Sequence, residues 1–116
     1  MSQNSDSETL LDIERAAKKI IKFKQALERE VFLTDEKTQS AIVFQLLIIG
    51  EATKRLSMTL RQQHPNIPWS LMAGMRDKLI HDYDEIDVEE VWKTANTDIP
   101  SLISSIQLAL KSSQYP

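Results

Sequence analysis

Between Ile42 and Ile49 every residue but Gln45 is apolar, and this run lies inside a long segment with no proline and one glycine. Ile42, Leu46, Ile49, Leu56 and Leu60, with Thr53 in register, recur at steps of three and four, the period of a helix. Thr34 followed by Asp35 and Glu36 is a good helix start, a cap and then acids in the first turn. The predicted helix reaches Gln63, before Pro65; its 29 residues would span roughly 43 Å. A helix that is apolar on all sides at its centre must be covered on all sides. Neighbouring helices can cover part of it, and a second copy of the chain is the natural cover for the rest. Gly50 in mid-helix costs about 1 kcal/mol relative to alanine, so close approach of another backbone is expected there.

The remaining chain reads the same way. It holds two glycines and four prolines and lacks β-branched alternation, so the predicted fold is all-α, an antiparallel bundle of four to five helices acting as a homodimer. Residues 1–7 read as a disordered, polar tail and 8–113 as a single domain. The first helix is predicted over 8–30, capped by Ser5 or Ser7, with Leu10, Ile13, Ala17, Ile20, Leu27 and Val31 facing inward. Two prolines make 64–68 a rigid connection. A third helix follows from about Pro68 or Trp69 to His81, its apolar stripe Leu71, Met75 and Leu79. Asp87 with Glu90 forms an acidic capping box for a fourth, from Val88 to about Asn96. Pro100 disfavours helical geometry at Ile99, which predicts a kink or restart. The last segment buries Leu102, Ile103, Ile106 and Leu110. Trp69 and Trp92 read as core anchors, Met72 and Met75 as core filler.

Several function classes fall away on composition. The absence of cysteine removes disulfides, Cys-based zinc sites and thiol catalysis, and fits cytoplasmic residence. No apolar run approaches 18 residues, so no membrane span is expected. A net charge of −3 argues against coating nucleic acid by bulk charge. The charge is uneven, however. From Glu51 to Lys78 five cations (Lys54, Arg55, Arg61, Arg76, Lys78) face two acids (Glu51, Asp77), whereas Asp82 to Glu90 holds six acids and no base.

The chemistry concentrates in Arg76-Asp77-Lys78-Leu79-Ile80-His81-Asp82-Tyr83. On a helix Arg76 and Tyr83 fall within about 20° of each other, while Arg76 and His81 are separated by about 140°. The last two converge on one ligand if the helix loosens near His81 or if a second copy closes a cleft. Asp77 lies four residues from His81, so it either orients the imidazole or pairs with Arg76. An imidazole moves protons near neutral pH, and a guanidinium offers a planar, permanently charged fork to phosphate. The two suit cleavage of a phosphodiester by its neighbouring 2′-hydroxyl, with no metal or cofactor required. His64 and His81 are far apart in sequence and make no metal cluster. Glu51 is not assigned a catalytic role, and Lys54, Arg55 and Lys78 are candidate phosphate contacts.

The Arg-x4-His-x-Tyr spacing resembles the signature of HepT-type toxins, small helical ribonucleases of the HEPN class. The resemblance takes in Ile48-Ile49-Gly50-Glu51-Ala52, Lys54-Arg55-Leu56, His64-Pro65, Ile67-Pro68-Trp69, Gly74-Met75-Arg76-Asp77 and Val91-Trp92, roughly residues 8 to 110 in order. It implies an endoribonuclease toxin with Arg76 and His81 as its catalytic pair, in a cleft between two subunits. It implies cellular RNA as substrate, with tRNA a candidate target. It also implies a small nucleotidyltransferase antitoxin as partner, which transfers AMP from ATP onto Tyr83. On bare sequence Tyr83 is a half-buried tyrosine at a helix end. Two other classes stay open: a non-catalytic dimer that uses the same pair to bind a nucleotide or an RNA end, and a purely structural partner-binding dimer.

Overall fold

Helix α1 (Gln3–Lys24) is the first of four long rods in the computed structural model, which describes residues 3–82 and 84–113. After it come α2 (Arg29–Phe32), α3 (Glu36–Arg55), α4 (Met58–Gln63), α5 (Trp69–His81), α6 (Val88–Lys93) and α7 (Ile99–Ser113). The π-helical turn Thr94–Asp98 joins the last two into one continuous rod. The described residues hold no strand, and the all-α bundle is the architecture the periodicity predicts. α3 packs against both α1 and α5, and α7 packs against α1.

The α3 stripe folds as read: Ile42, Leu46, Ile49, Thr53, Leu56 and Leu60 are all buried. They meet Leu10, Ile13, Ala17 and Ile20 of α1, and Ile99, Leu102, Ile106 and Ala109 complete the core. Thr53 is tolerated there because its hydroxyl donates to the carbonyl of Ile49 at 2.8 Å.

Helix boundaries differ from expectation in four places. Helix α1 starts at Gln3, before residue 8, and Asp6 accepts two bonds from Ser57, from the backbone N–H (3.0 Å) and the hydroxyl (2.6 Å). α1 also ends early, at Lys24, where Ala26 takes a left-handed φ of 67° that redirects the chain. The register of the expected stripe is lost beyond that turn. Val31 is exposed, and Phe32 is fully buried with its ring 5.0 Å from that of Trp92. The predicted 29-residue helix is cut in two. Asp35, not Thr34, caps α3; Leu56 turns extended, and Ser57 caps α4 by accepting from Leu60 N–H. The guanidinium of Arg61 closes the break by donating to the Leu56 carbonyl. Pro100, finally, does not take Ile99 out of helical geometry; a π turn precedes it and the α-helix resumes at Ile99. Pro100 can donate nothing to Asn96, and its ring would crowd that carbonyl in a regular α-turn. The wider π turn bonds Ile99 N–H to the Thr94 carbonyl and carries Ile99 through at φ −66° and ψ −45°.

Candidate active site

Helix α5 spans Trp69–His81, as the sequence predicts. Its start is fixed by Trp69, a buried anchor whose indole N–H donates to the carbonyls of Arg61 and His64. Of the expected stripe Leu79 is buried and Met75 packs half-buried against the core, and Met72 is buried as well, but Leu71 is 72% exposed. With Met72 inward, α5 lies directly against Gly50 of α3. A side chain at position 50 would strike the Cβ of Arg76 and come within 2.9 Å of the Met72 carbonyl oxygen. The close approach expected at Gly50 is thus made by α5 of the same chain.

This contact delivers Arg76. Its side chain is 31% exposed and held by carboxylates on two sides. Glu51 Oε1 forms an ion pair with Nε at 3.0 Å, and Asp77 Oδ1 accepts from NH1 at 3.0 Å. Lys54 Nζ donates to the same Asp77 oxygen. The Lys54 ammonium, with Arg76 second, holds the Asp77 carboxyl below its ordinary range. Two cations and two carboxylates therefore form one electrically balanced cluster across α3 and α5. Arg76 still has a free donor edge, because neither carboxylate bonds NH2.

Of the two roles left open for Asp77, the structure brings it to Arg76, with Lys54, and not to His81. His81 is the last residue of α5 and exposed; among the described residues no hydrogen bond or ion pair reaches its side chain. α5 does not loosen before it: the Asp82 N–H still bonds the Lys78 carbonyl at 2.9 Å. Arg76 and His81 therefore remain about 140° apart around one regular helix. Tyr83 lies outside the described residues.

The tertiary structure disperses the other candidate phosphate contacts. Arg55 reaches Asp12 at 3.8 Å, and Lys78 turns to a different side of α5. There it lines a groove of about 450 Å³ with Met75, Leu79 and Val91 and the acids Asp82, Glu85 and Glu90. Neither Arg76 nor His81 lines that groove, and its acids oppose RNA phosphate. Among the described residues no group of three or more His, Cys, Asp or Glu is arranged to hold a metal ion, and no helix is long and apolar enough to cross a membrane. Glu51 is the site residue to which the sequence assigned no role. Its neighbour Gly50 carried the signal, since a glycine within an apolar helix marks a close approach and the next residue flanks it.

Fold and site together describe an all-helical domain that carries an Arg-x4-His pair on one of its rods. Residues 13–109 match the family described as ribonuclease HepT-like, and the chain belongs to this family of ribonucleases. Among curated relatives it is 47% identical over 100 residues to a "Probable ribonuclease HepT" of Thermococcus cleftensis, covering 86% of this chain and 91% of the relative. Two proteins of Methanocaldococcus jannaschii whose names assign them as RNases are 38% and 36% identical over 102 residues. Each match covers 88% of this chain, with 84% and 88% of the respective relative. No solved structure matches the chain. The resemblance drawn from the Arg76-to-Tyr83 spacing thus holds at the level of the family.

Proposed function

We propose that this ribonuclease is a metal-independent endoribonuclease toxin whose catalytic residues are Arg76 and His81, acting in a cleft between two copies of the chain. One observation carries the reading. Arg76 is clamped at the surface with a free donor edge, while His81 stands exposed at the end of the same regular helix. A straight α5 cannot aim both side chains at one phosphate from one stripe. A second copy, related by a two-fold axis, supplies the missing half and a second imidazole. Exposed apolar residues are placed for this. Phe44 (59% exposed) is seven residues before Glu51 on α3, and Ile80 (47% exposed) is four after Arg76 on α5.

In such a cleft one His81 takes the 2′-hydroxyl proton as the 2′-oxygen attacks phosphorus. The other protonates the departing 5′-oxygen, leaving a 2′,3′-cyclic phosphate and a 5′-hydroxyl. Arg76 binds the phosphate oxygens as their charge grows. The substrate is cellular RNA, with tRNA as the target class. Control is by transfer of AMP from ATP to Tyr83, carried out by a small nucleotidyltransferase partner. This part rests on family resemblance and on the place of Tyr83 two residues after His81 in the sequence.

The test is cleavage of a defined RNA in the presence of EDTA by the parent chain, Arg76→Ala and His81→Ala. Losing acid-base help typically costs about 10²–10⁴ in rate, and losing one electrostatic stabiliser about 10²–10³. Both variants are expected to stay folded by circular dichroism and to lose cleavage on these scales. A folded His81→Ala chain that cuts at the parent rate would overturn the assignment. Mobility shift without turnover by the parent would favour a binding module.

A further inference from the structure

The geometry points to Glu51 as a positioning residue that fixes the orientation of Arg76 and, in doing so, weakens the hold of the site on RNA. The inference rests on Arg76 being the phosphate ligand. Glu51 and Gly50 are adjacent on α3 and act on the two ends of one side chain. The missing side chain of Gly50 seats the Arg76 stem, and the Glu51 carboxylate pairs with Nε at 3.0 Å. Asp77 fixes NH1, so the guanidinium plane is held at two of its three nitrogens. NH2 is the nitrogen left to point at a ligand. A five-donor fork held at two points meets a phosphate in one pose and loses less freedom on binding than an untethered side chain.

The same contact has an electrostatic cost. Asp77 is shared between Arg76 and Lys54, whereas the charge of Glu51 falls on Arg76 alone. Without Glu51 the cluster would carry one net positive charge. An RNA phosphate entering beside NH2 meets the Glu51 carboxylate at close range and is repelled by it. With full water screening, one unit charge about 4 Å away is worth roughly fivefold in binding, which is the least effect expected here. Glu51 is 49% exposed, so as a plain surface ion pair it would add little stability. The two roles can be separated, because glutamine keeps the length and a polar oxygen beside Nε and loses the charge, while alanine loses both.

The experiment compares steady-state cleavage of one short RNA by the parent chain, Glu51→Gln, Glu51→Ala, Arg76→Ala and the Glu51→Ala/Arg76→Ala double variant, with melting temperatures alongside. Glu51→Gln is expected to lower KM roughly fivefold with kcat within about twofold, since an amide oxygen of the same reach stays beside Nε. Glu51→Ala is expected to lower KM similarly and to lower kcat at least tenfold, because the fork is no longer aimed. The double variant should be no slower than Arg76→Ala, and melting temperatures should stay within a few degrees of the parent. If both Glu51 variants match the parent in kcat and KM while Arg76→Ala is inactive, Glu51 is a surface ion pair and the inference fails with the functional reading intact. If the double variant is much slower than Arg76→Ala, Glu51 acts on its own and the positioning role is overturned. If Arg76→Ala cleaves normally, the reading of the site falls and the inference with it.

Discussion

Gly50 and Arg76 are in contact because position 50 has no side chain: a Cβ there would overlap the Cβ of Arg76. The helix-propensity gain of about 1 kcal/mol that alanine normally brings is opposed by overpacking of about 1–3 kcal/mol, and the obstacle includes the rigid Met72 carbonyl as well as a side chain. Gly50→Ala should therefore destabilise the fold and impair cleavage by pushing α5 away from α3. Gly74 lies on the same helix as Arg76, and a Cβ added there would meet nothing within 4 Å. Gly74→Ala should stabilise by about 0.5–1 kcal/mol. Denaturant melts of the two variants must move in opposite directions, and a Gly50→Ala chain as stable as Gly74→Ala would contradict the packing.

Phe32 should be the costliest single truncation outside the main core stripe. It is fully buried, stacks on Trp92 at 5.0 Å, and its carbonyl accepts from the Gln39 side chain at 2.9 Å. Phe32→Ala is expected to cost about 3–5 kcal/mol. Val31→Ala, at a position 49% exposed, should cost much less. Urea midpoints for the pair give the comparison.

Asp35 caps α3 through Thr38, whose hydroxyl (2.7 Å) and backbone N–H (3.0 Å) both donate to it. These bonds, the hydroxyl first, hold its carboxyl below the usual range. A folded-state pKa below the unfolded one means the stabilisation is complete above the unfolded value, about 3.9, and is lost as pH falls through the lowered one. The stability gap between the parent chain and Asp35→Asn should stay constant from about pH 8 to 5 and close below about pH 4. A gap that instead widened in acid would reverse the assigned sign.

Phe44 and Ile80 should be solvent-exposed in a single chain and covered in the active species. Sedimentation at micromolar concentration is expected to give twice the 13.3 kDa chain mass. Phe44→Glu combined with Ile80→Glu should give a folded, inactive monomer, since charges replace apolar surface at the seam. A monomer of the parent chain that cleaves RNA at full rate would remove the composite cleft.

Much of this protein was legible in its sequence because local chemistry decided it. The spacing of Ile42, Leu46, Ile49, Leu56 and Leu60 set the inner face of the central helix. Trp69 to His81 came out at its predicted bounds, because prolines lie before it and acids follow. Gly50 announced a close approach. Arg76 and His81 both fall on α5, His81 at its last position.

Tertiary contacts decided what remained, and they did so where local preference is weak. Nothing in Leu56-Ser57 forbids a continuous helix, yet the chain breaks there because Asp6, some fifty residues away, takes both donors of Ser57. No glycine marks the turn after α1; Ala26 adopts a left-handed conformation so that Phe32, rather than Val31, can reach Trp92. Leu71 is left outside because α5 packs with Met72 and Arg76 against Gly50. The same packing gives Asp77 to Lys54 and Arg76 instead of His81. Helical spacing placed Asp77 within reach of several partners, and only the neighbouring helix, carrying Glu51 and Lys54, selected among them.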